Sequence, residues 1–528
     1  SAIAAAGPFR TRGLSLDAQQ PFLGGRLGFA GGVAVRRDEP TPGADDESFA
    51  AGGVLHWQAS EGILIQPFFA YLNQPVLRSP PLVFTDGATA PPPSPARSPS
   101  PDWIGSAAVR PLFGTVATFE ASEAWTVRAG LFRVENNFAA TRTGLLMNVQ
   151  PDGAADWFVA AGAAQEFGST SGEVRATWRG GAGPRRHAVH LSLRGRAAER
   201  AYGGSVLQPL GPGSLYEDAS GLPEPDFAFG ALSQDAVRQA TAGLAYAGAW
   251  AGRGELRLGL QKAGYRKTVL APGQPEVVSK DHPWLYDAAL AVQLTGRLAA
   301  YAGYTVGLEE SPVAPENAVN RNEAPPALRT RQKDAGFRYR LSSGTTLVAG
   351  VFDVNKPYFN LDSGRVYREL GHVRHRGVEL SLASRPIPGL SVVAGAVLLD
   401  AEVSGELVAQ GRIGPRPVGR PERQVRVNID YQLPGTPGLS LDLALLSTGE
   451  RAAGAVPLAS LGGAQFALPG RSTLDVGGRW RFRWRDAHLV ARLHVQNVTD
   501  DRNWDVATGG AFLVTSPRRA SLSVTADF

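Results

Sequence analysis

The stretch RSTLDVGGRWRFRW (residues 471–484) alternates from Leu474 onward without a slip. Leu474, Val476, Gly478, Trp480, Phe482 and Trp484 fall on one side; Asp475, Gly477, Arg479, Arg481 and Arg483 fall on the other. A period of two belongs to a β-strand, whose successive side chains leave opposite faces of the pleat. A wall of tryptophan and phenylalanine backed by a wall of arginine needs an apolar medium on one side and a wet one on the other.

The pattern recurs in HAVHLSLRGR (187–196), ELRLGLQK (255–262), QVRVNIDYQ (424–432) and HLVARLHVQN (488–497). Such segments run to roughly 10 to 14 residues, longer than the 5–6 of an ordinary strand and matched to a tilted strand crossing a bilayer. Short turns at 122–124, 251–254, 342–344, 386–389, 434–438 and 484–487 alternate with long connectors at 75–103, 138–168, 201–235, 309–328, 405–422 and 450–469. Turns on one side and long loops on the other describe an all-β, antiparallel, up-and-down transmembrane barrel of about 22 strands in a bacterial outer membrane. The apolar wall then meets outer-membrane lipid, and Trp484 beside its turn suits the interfacial aromatic girdle. The Pro-rich run ATAPPPSPARSPSPDW (88–103) reads as a mobile extracellular loop tip.

Composition supports this. The chain of 528 residues is 43% hydrophobic and 19% charged, with 63 Gly, 39 Pro and no Cys. Disorder, disulfides and cysteine chemistry are thereby set aside. No apolar run reaches the length of a membrane helix. A net charge of +5 spread over alternating strands gives no basic patch for nucleic acid. SAIAAAG (1–7) lacks the basic start and apolar core of a signal peptide, so the chain reads as a mature piece. RASLSVTADF (519–528) alternates up to a terminal Phe528 and resembles the signal by which barrel-assembly machinery recognises its clients.

Several stretches carry a family resemblance: GLEESPVAPENAVNRNEAPPALRTRQKDAGFRYRL (307–341), VRHRGVELSLASRPIPGLSVVAGAVLLDAEV (373–403), GRPERQVRVNIDYQLPG (419–435), LHVQNVTDDRNW (493–504) and SPRRASLSVTADF (516–528). Together they resemble the barrel of a TonB-dependent outer-membrane receptor of the siderophore branch. The resemblance implies a transporter and not an enzyme, taking up a scarce bulky ligand, usually a ferric siderophore, with energy from the TonB complex. It also implies a TonB box and an N-terminal plug. RTRGLSLDAQQPF (10–22) already reads as a barrel strand, so the expectation is a barrel over 1–528 with no plug, box or signal peptide, coupled to TonB only if a plug is supplied. A passive porin-like channel and a structural barrel with its plug on a separate chain remain open at this point.

No catalytic or cofactor motif stands out. His187 and His190, three apart on a strand, point to opposite faces and make no metal pair. Asn497-Val498-Thr499 matches a glycosylation sequon but reads as a polar strand end near a periplasmic turn. Arg194, Arg257, Arg426, Arg479, Arg481 and Arg492 face the lumen, either drawing anionic chelates inward or pairing with carboxylates on neighbouring strands. Loop aromatics Trp103, Tyr202, Tyr216, Phe227, Phe229, Tyr358, Phe359 and Tyr367 suit flat chelates, or mark the outer girdle. Asn320, Arg321 and Asn322 offer planar donors at a loop tip. The candidate ligand set is these loop residues with Arg257 and Arg481.

An integral barrel folds only in detergent or lipid, where it should give β-type circular dichroism. A folded, monodisperse protein in plain buffer would refute the membrane reading.

Overall fold

The computed structural model describes residues 1–85, 89–92, 95–315, 318–507 and 510–528. Its main sheet has 23 strands, of which Val277–Asp281 and Trp284–Gln293 pair in one register with Gly254–Leu270 and form a single wall strand; 23 − 1 leaves a closed barrel of 22. All its pairings are antiparallel between neighbours in sequence, save the one that closes the ring. There Ala2–Ala6 lies between Arg12–Phe22 and the last strand, Arg519–Asp527, with Ala4 opposite both Leu14 and Val524. The barrel therefore begins one strand earlier than the sequence suggests. SAIAAAG is wall, and its uniformly small apolar residues hide the alternation.

Side chains sort by face as expected. Leu193, Leu244, Leu290, Val351, Trp480 and Trp484 stand outward and roughly half exposed, as lipid-facing residues do. Trp480 and Phe482 lie 4.6 Å apart, and the Arg485 guanidinium sits 5.0 Å over Trp484 beside the turn. His187 bonds Tyr246 on the outer face (2.7 Å) and His190 bonds Thr177 on the inner one (2.9 Å), so the two do point apart.

The dry core lies elsewhere. A wall with lipid outside and water inside cannot bury much against itself, and the largest buried cluster is built from the long connectors. Thr141–Met147, Ala154–Gly162, Val206–Ser214, Leu82–Val83, Phe512–Val514 and Trp504–Val506 form a separate 6-stranded sheet. Leu146, Trp157, Leu215, Trp504 and Phe512 are buried on it. A hairpin of Arg451–Leu458 and Ala464–Leu468 adds to it, and the buried Arg451 donates to the Trp504 carbonyl (2.9 Å) and pairs with Asp505 (3.0 Å).

This packing corrects two expectations. The Pro-rich run is no loose tip: Pro91, Pro92, Ser98, Pro99 and Pro101 are buried, though Ala88, Pro93 and Ser94 lie outside the described residues. Trp504 donates its indole N–H to the Pro92 carbonyl (2.7 Å), Ala219 donates to that of Pro99 (3.0 Å), and Ser98 donates to Pro42 (2.8 Å). Proline brings acceptors without an N–H that would need a partner, which suits a buried loop. Asn497 sits at the long-loop end of Ala487–Gln496, not beside a periplasmic turn. Its amide donates to the carbonyls of Asp501 (3.0 Å) and Ser516 (3.1 Å) and pins the loop base.

Because the chain has no cysteine, the topology is checked with single introduced thiols. Ala96→Cys should react with a membrane-impermeant maleimide on intact cells, and Thr436→Cys, in the short turn, should not. The reverse pattern would invert the orientation.

Candidate functional site: the extracellular vestibule

Four strands, Gln165–Gly180, Arg185–Tyr202, Ser233–Trp250 and Gly254–Leu270, form one side of the outer mouth. Near their outer ends the inward positions Asp235, Val237, Tyr265, Lys267 and Val269 are all buried. The segment after Leu298–Glu309 covers them. Lys267, 0% exposed, directs its ammonium to Asp235 (3.3 Å), Glu310 (3.2 Å) and the Ser311 carbonyl (2.7 Å), one acceptor for each of its protons. Arg200 donates to Asp235 (2.9 Å) and Glu310 (3.4 Å), and Arg196 reaches Glu310 (3.4 Å). Three cations thus share two carboxylates, leaving one positive charge in excess. The knot borders a cavity of about 330 Å³ lined by Phe167, Arg196, Arg200, Asp235, Glu310 and Ser311.

Burial sets the protonation of this wall. It raises the Tyr202 phenol, helped by the charge of Asp235. The Tyr265 hydroxyl is buried on the same wall with no hydrogen-bond partner among the described residues. For Arg200 burial works against the charged form, but the Asp235 hydrogen bond and the Asp235 and Glu310 charges outweigh it and hold the guanidinium above its ordinary value.

The aromatic candidates fall into groups. Trp103, Phe227 and Phe229 come together: Trp103 and Phe227 are 6.2 Å apart, Phe227 and Phe229 stack at 5.9 Å, and the Arg142 guanidinium lies 5.8 Å over Phe227. Trp103 donates to the Leu222 carbonyl (2.8 Å), and Arg142 pairs with Glu224, so three connectors hold the group. Phe359 and Tyr367 pair at 6.0 Å, and the Tyr358 hydroxyl accepts from Asn360 (2.6 Å). Tyr202 lies beneath Arg200 (5.4 Å) with its hydroxyl buried and unpartnered. Tyr216 covers Gly153 at an exposed edge.

Asn320 acts as a clamp: its amide accepts from Tyr367 N–H (2.7 Å) and donates to Tyr367 O (2.9 Å) and Glu323 (2.7 Å). Asn322 takes the left-handed conformation (φ 66°) that asparagine tolerates, and Arg321 is exposed beside it. Asn317 of the same stretch lies outside the described residues. Arg257 and Arg481 stand at the opposite end of the barrel, near the short turns and on different sides of the ring, so the structure does not bring them to the vestibule.

Of the other lumenal arginines, Arg479 donates to both carboxylate oxygens of Asp430 (3.2 and 2.9 Å), Arg492 does the same to Asp442 (3.4 and 3.3 Å), and Arg194 bonds Gln261. Arg426 and Arg481 make no ion pair among the described residues. Sequence reasoning missed Arg142, Arg200, Asp235, Lys267 and Glu310. The available signal was the mixed face of Tyr265, Lys267 and Val269, where a charge sits between bulky neighbours.

A family model described as TonB dependent receptor-like, beta-barrel, matches residues 10–498. The ferrichrome receptor FcuA of Yersinia enterocolitica is 26% identical over 241 residues, covering 44% of this chain and 30% of that receptor. The match therefore spans less than a third of the relative. Among solved structures, the ferric preacinetobactin receptor BauA of Acinetobacter baumannii superposes with a TM-score of 0.85 at 19% identity, over 100% of this chain and 79% of that one. The ferric-catecholate import receptor Fiu of E. coli K12 gives 0.81 at 14% identity, over 99% and 80%. Identities this low establish the shared fold alone.

Replacing Lys267 by Met should cost about 2 kcal/mol in the docking of residues 310–312, the scale of a lost hydrogen bond to a charge. Tryptic cleavage after Arg321 should then quicken by about thirtyfold, while the barrel's gel mobility before heating stays unchanged. Unchanged cleavage would show that the knot does not hold this loop.

Proposed function

The chain belongs to the TonB dependent receptor-like β-barrel family, and from that premise we propose that it serves as the outer-membrane barrel of a receptor that captures and imports a ferric siderophore. The observation that carries the reading is the convergence of Trp103, Phe227 and Phe229 under the Arg142 guanidinium, on connectors fixed to one another at the outer mouth. Flat rings give contact area and stacking to planar catecholate or hydroxamate arms, and a guanidinium complements their negative charge. The excess cation of Arg196, Arg200 and Lys267 raises the local concentration of an anionic chelate on the path inward. FcuA, BauA and Fiu, receptors for ferrichrome, ferric preacinetobactin and ferric catecholates, support the same ligand class. Energised release requires a plug that presents a contact to the TonB complex, with the barrel supplying capture and passage.

Tryptophan fluorescence titration with a ferric hydroxamate and a ferric catecholate tests this, because Trp103 stands in the aromatic group. One of the two should quench with saturation, and Phe227→Ala with Phe229→Ala should weaken it by about tenfold to a hundredfold. No saturable binding by either chelate, or equal binding by the variant, would overturn the assignment.

A further inference from the structure

The outer wall carries a second feature, on the face opposite the vestibule knot. Between Ser233–Trp250 and Trp284–Gln293 the outward residues form cross-strand rows. Leu244, Leu260 and Tyr286 make one row in the lipid band, and Ala242, Lys262 and Trp284 make the next. Lys262 lies 5.0 Å over the Trp284 ring, the arrangement of a membrane interface. Above it come Ala240 and Gly264, then Arg238, Arg266 and Lys280 directly opposite one another. Val237, Tyr265 and Lys267, inward neighbours of the two arginines, are buried, whereas all three cations are exposed.

Like charges in direct opposition destabilise a sheet. Elsewhere the wall answers such charges: Arg374 and Arg376, on the face of Val378 and Leu380, pair with Asp353 (2.6 Å) and Asp400 (2.7 Å). Among the described residues Arg238, Arg266 and Lys280 have no carboxylate partner. Beside and below them lies a groove of about 1290 Å³. Gly172, Gly195, Ala240 and Gly264 make its floor, where the rest of the wall carries leucine and valine, and Leu131 and Leu193 form its sides. A Cβ added at Gly195 would meet nothing within 4 Å, and one at Gly172 would touch the Leu131 side chain, so the hollow opens outward.

We propose that this groove binds a phosphorylated, multiply acylated glycolipid of the outer leaflet, its acyl chains lying over the small-residue floor and its phosphates on Arg238, Arg266 and Lys280. Both halves of the site match that chemistry: a saturated chain rising from the lipid band passes Val174 and Leu193 into the apolar hollow, and the guanidinium pair bonds phosphate oxygens in the plane that suits them. The counter-charge that the protein withholds comes from the lipid. The inference rests on the barrel's membrane placement and not on the siderophore reading, because the groove and the vestibule occupy opposite faces of the wall.

Native mass spectrometry of the full chain in detergent tests it, with bis-phosphorylated lipid A, its dephosphorylated form and phosphatidylglycerol as probes. Lipid A should be retained about tenfold or more over the other two. Arg238→Gln with Arg266→Gln and Lys280→Gln should abolish that preference, as should Gly195→Leu, which fills the hollow and keeps every charge. Arg374→Gln with Arg376→Gln should leave it intact, and each variant is first shown to be a folded barrel by its gel mobility before heating. Equal retention of dephosphorylated lipid or phosphatidylglycerol overturns the proposal, as does undiminished preference in the triple variant or in Gly195→Leu.

Discussion

Hydrocarbon offers no partner to a backbone N–H or C=O, so a sheet that enters it must leave no edge. Five residues meet that demand here. Ala2–Ala6 fills the gap between the strand at Arg12 and the strand that ends at Asp527, and every other feature of the wall presupposes that seam. With the ring shut, alternation through the lipid band has one meaning: Leu, Val and Trp outward, Arg, Asp and Gln inward. The small side chains of the seam have a local reason too, since a short strand lying between two others needs little more than its backbone.

Closure leaves a wide, wet interior, and the molecule manages its charges there by pairing across strands. The contacts of Arg479 with Asp430 and of Arg492 with Asp442 each reach across one intervening strand. Gly477 stands where any side chain would collide with the Asp442 carboxylate. Such pairs hold long side chains in place at little net gain, because water competes for both partners. At the mouth the balance changes. Lys267 is cut off from water altogether, so its partners must be complete, and the segment at Glu310 and Ser311 is fixed as a result.

How far the sequence could be read follows from these environments. The strands of the wall were legible because each separates two media, which forces a period of two; Leu474 to Trp484 shows it in full. The seam was not, because Ala2 to Ala6 carries the same character on both faces. Nor was the loop core, since Trp157, Leu215 and Trp504 sit on short strands whose partners come from far along the chain. A proline-rich composition argued for mobility at Pro91 to Pro101, but composition does not reveal that Trp504 waits to bond the Pro92 carbonyl. The aromatic candidates were chosen by residue type and position in loops. That put Trp103, Phe227 and Phe229, which the structure brings together, among the candidates, and it could not exclude Arg257 and Arg481, which share their chemistry with mouth residues and lie at the other end.

The shared sheet of the connectors bears on how such a protein can diversify. Segments at 82–83, 141–162, 206–214, 504–506 and 512–514 hydrogen-bond in one sheet and bury one another's tryptophans. They are therefore not independent modules. Transplanting a single connector from a relative would strip its neighbours of strand partners and expose Trp157 or Trp504, so chimeras should succeed only when the whole set is exchanged together. Drift at the surface is channelled in the same way, toward tips such as Ala96 and Ala228 that stand clear of the common core.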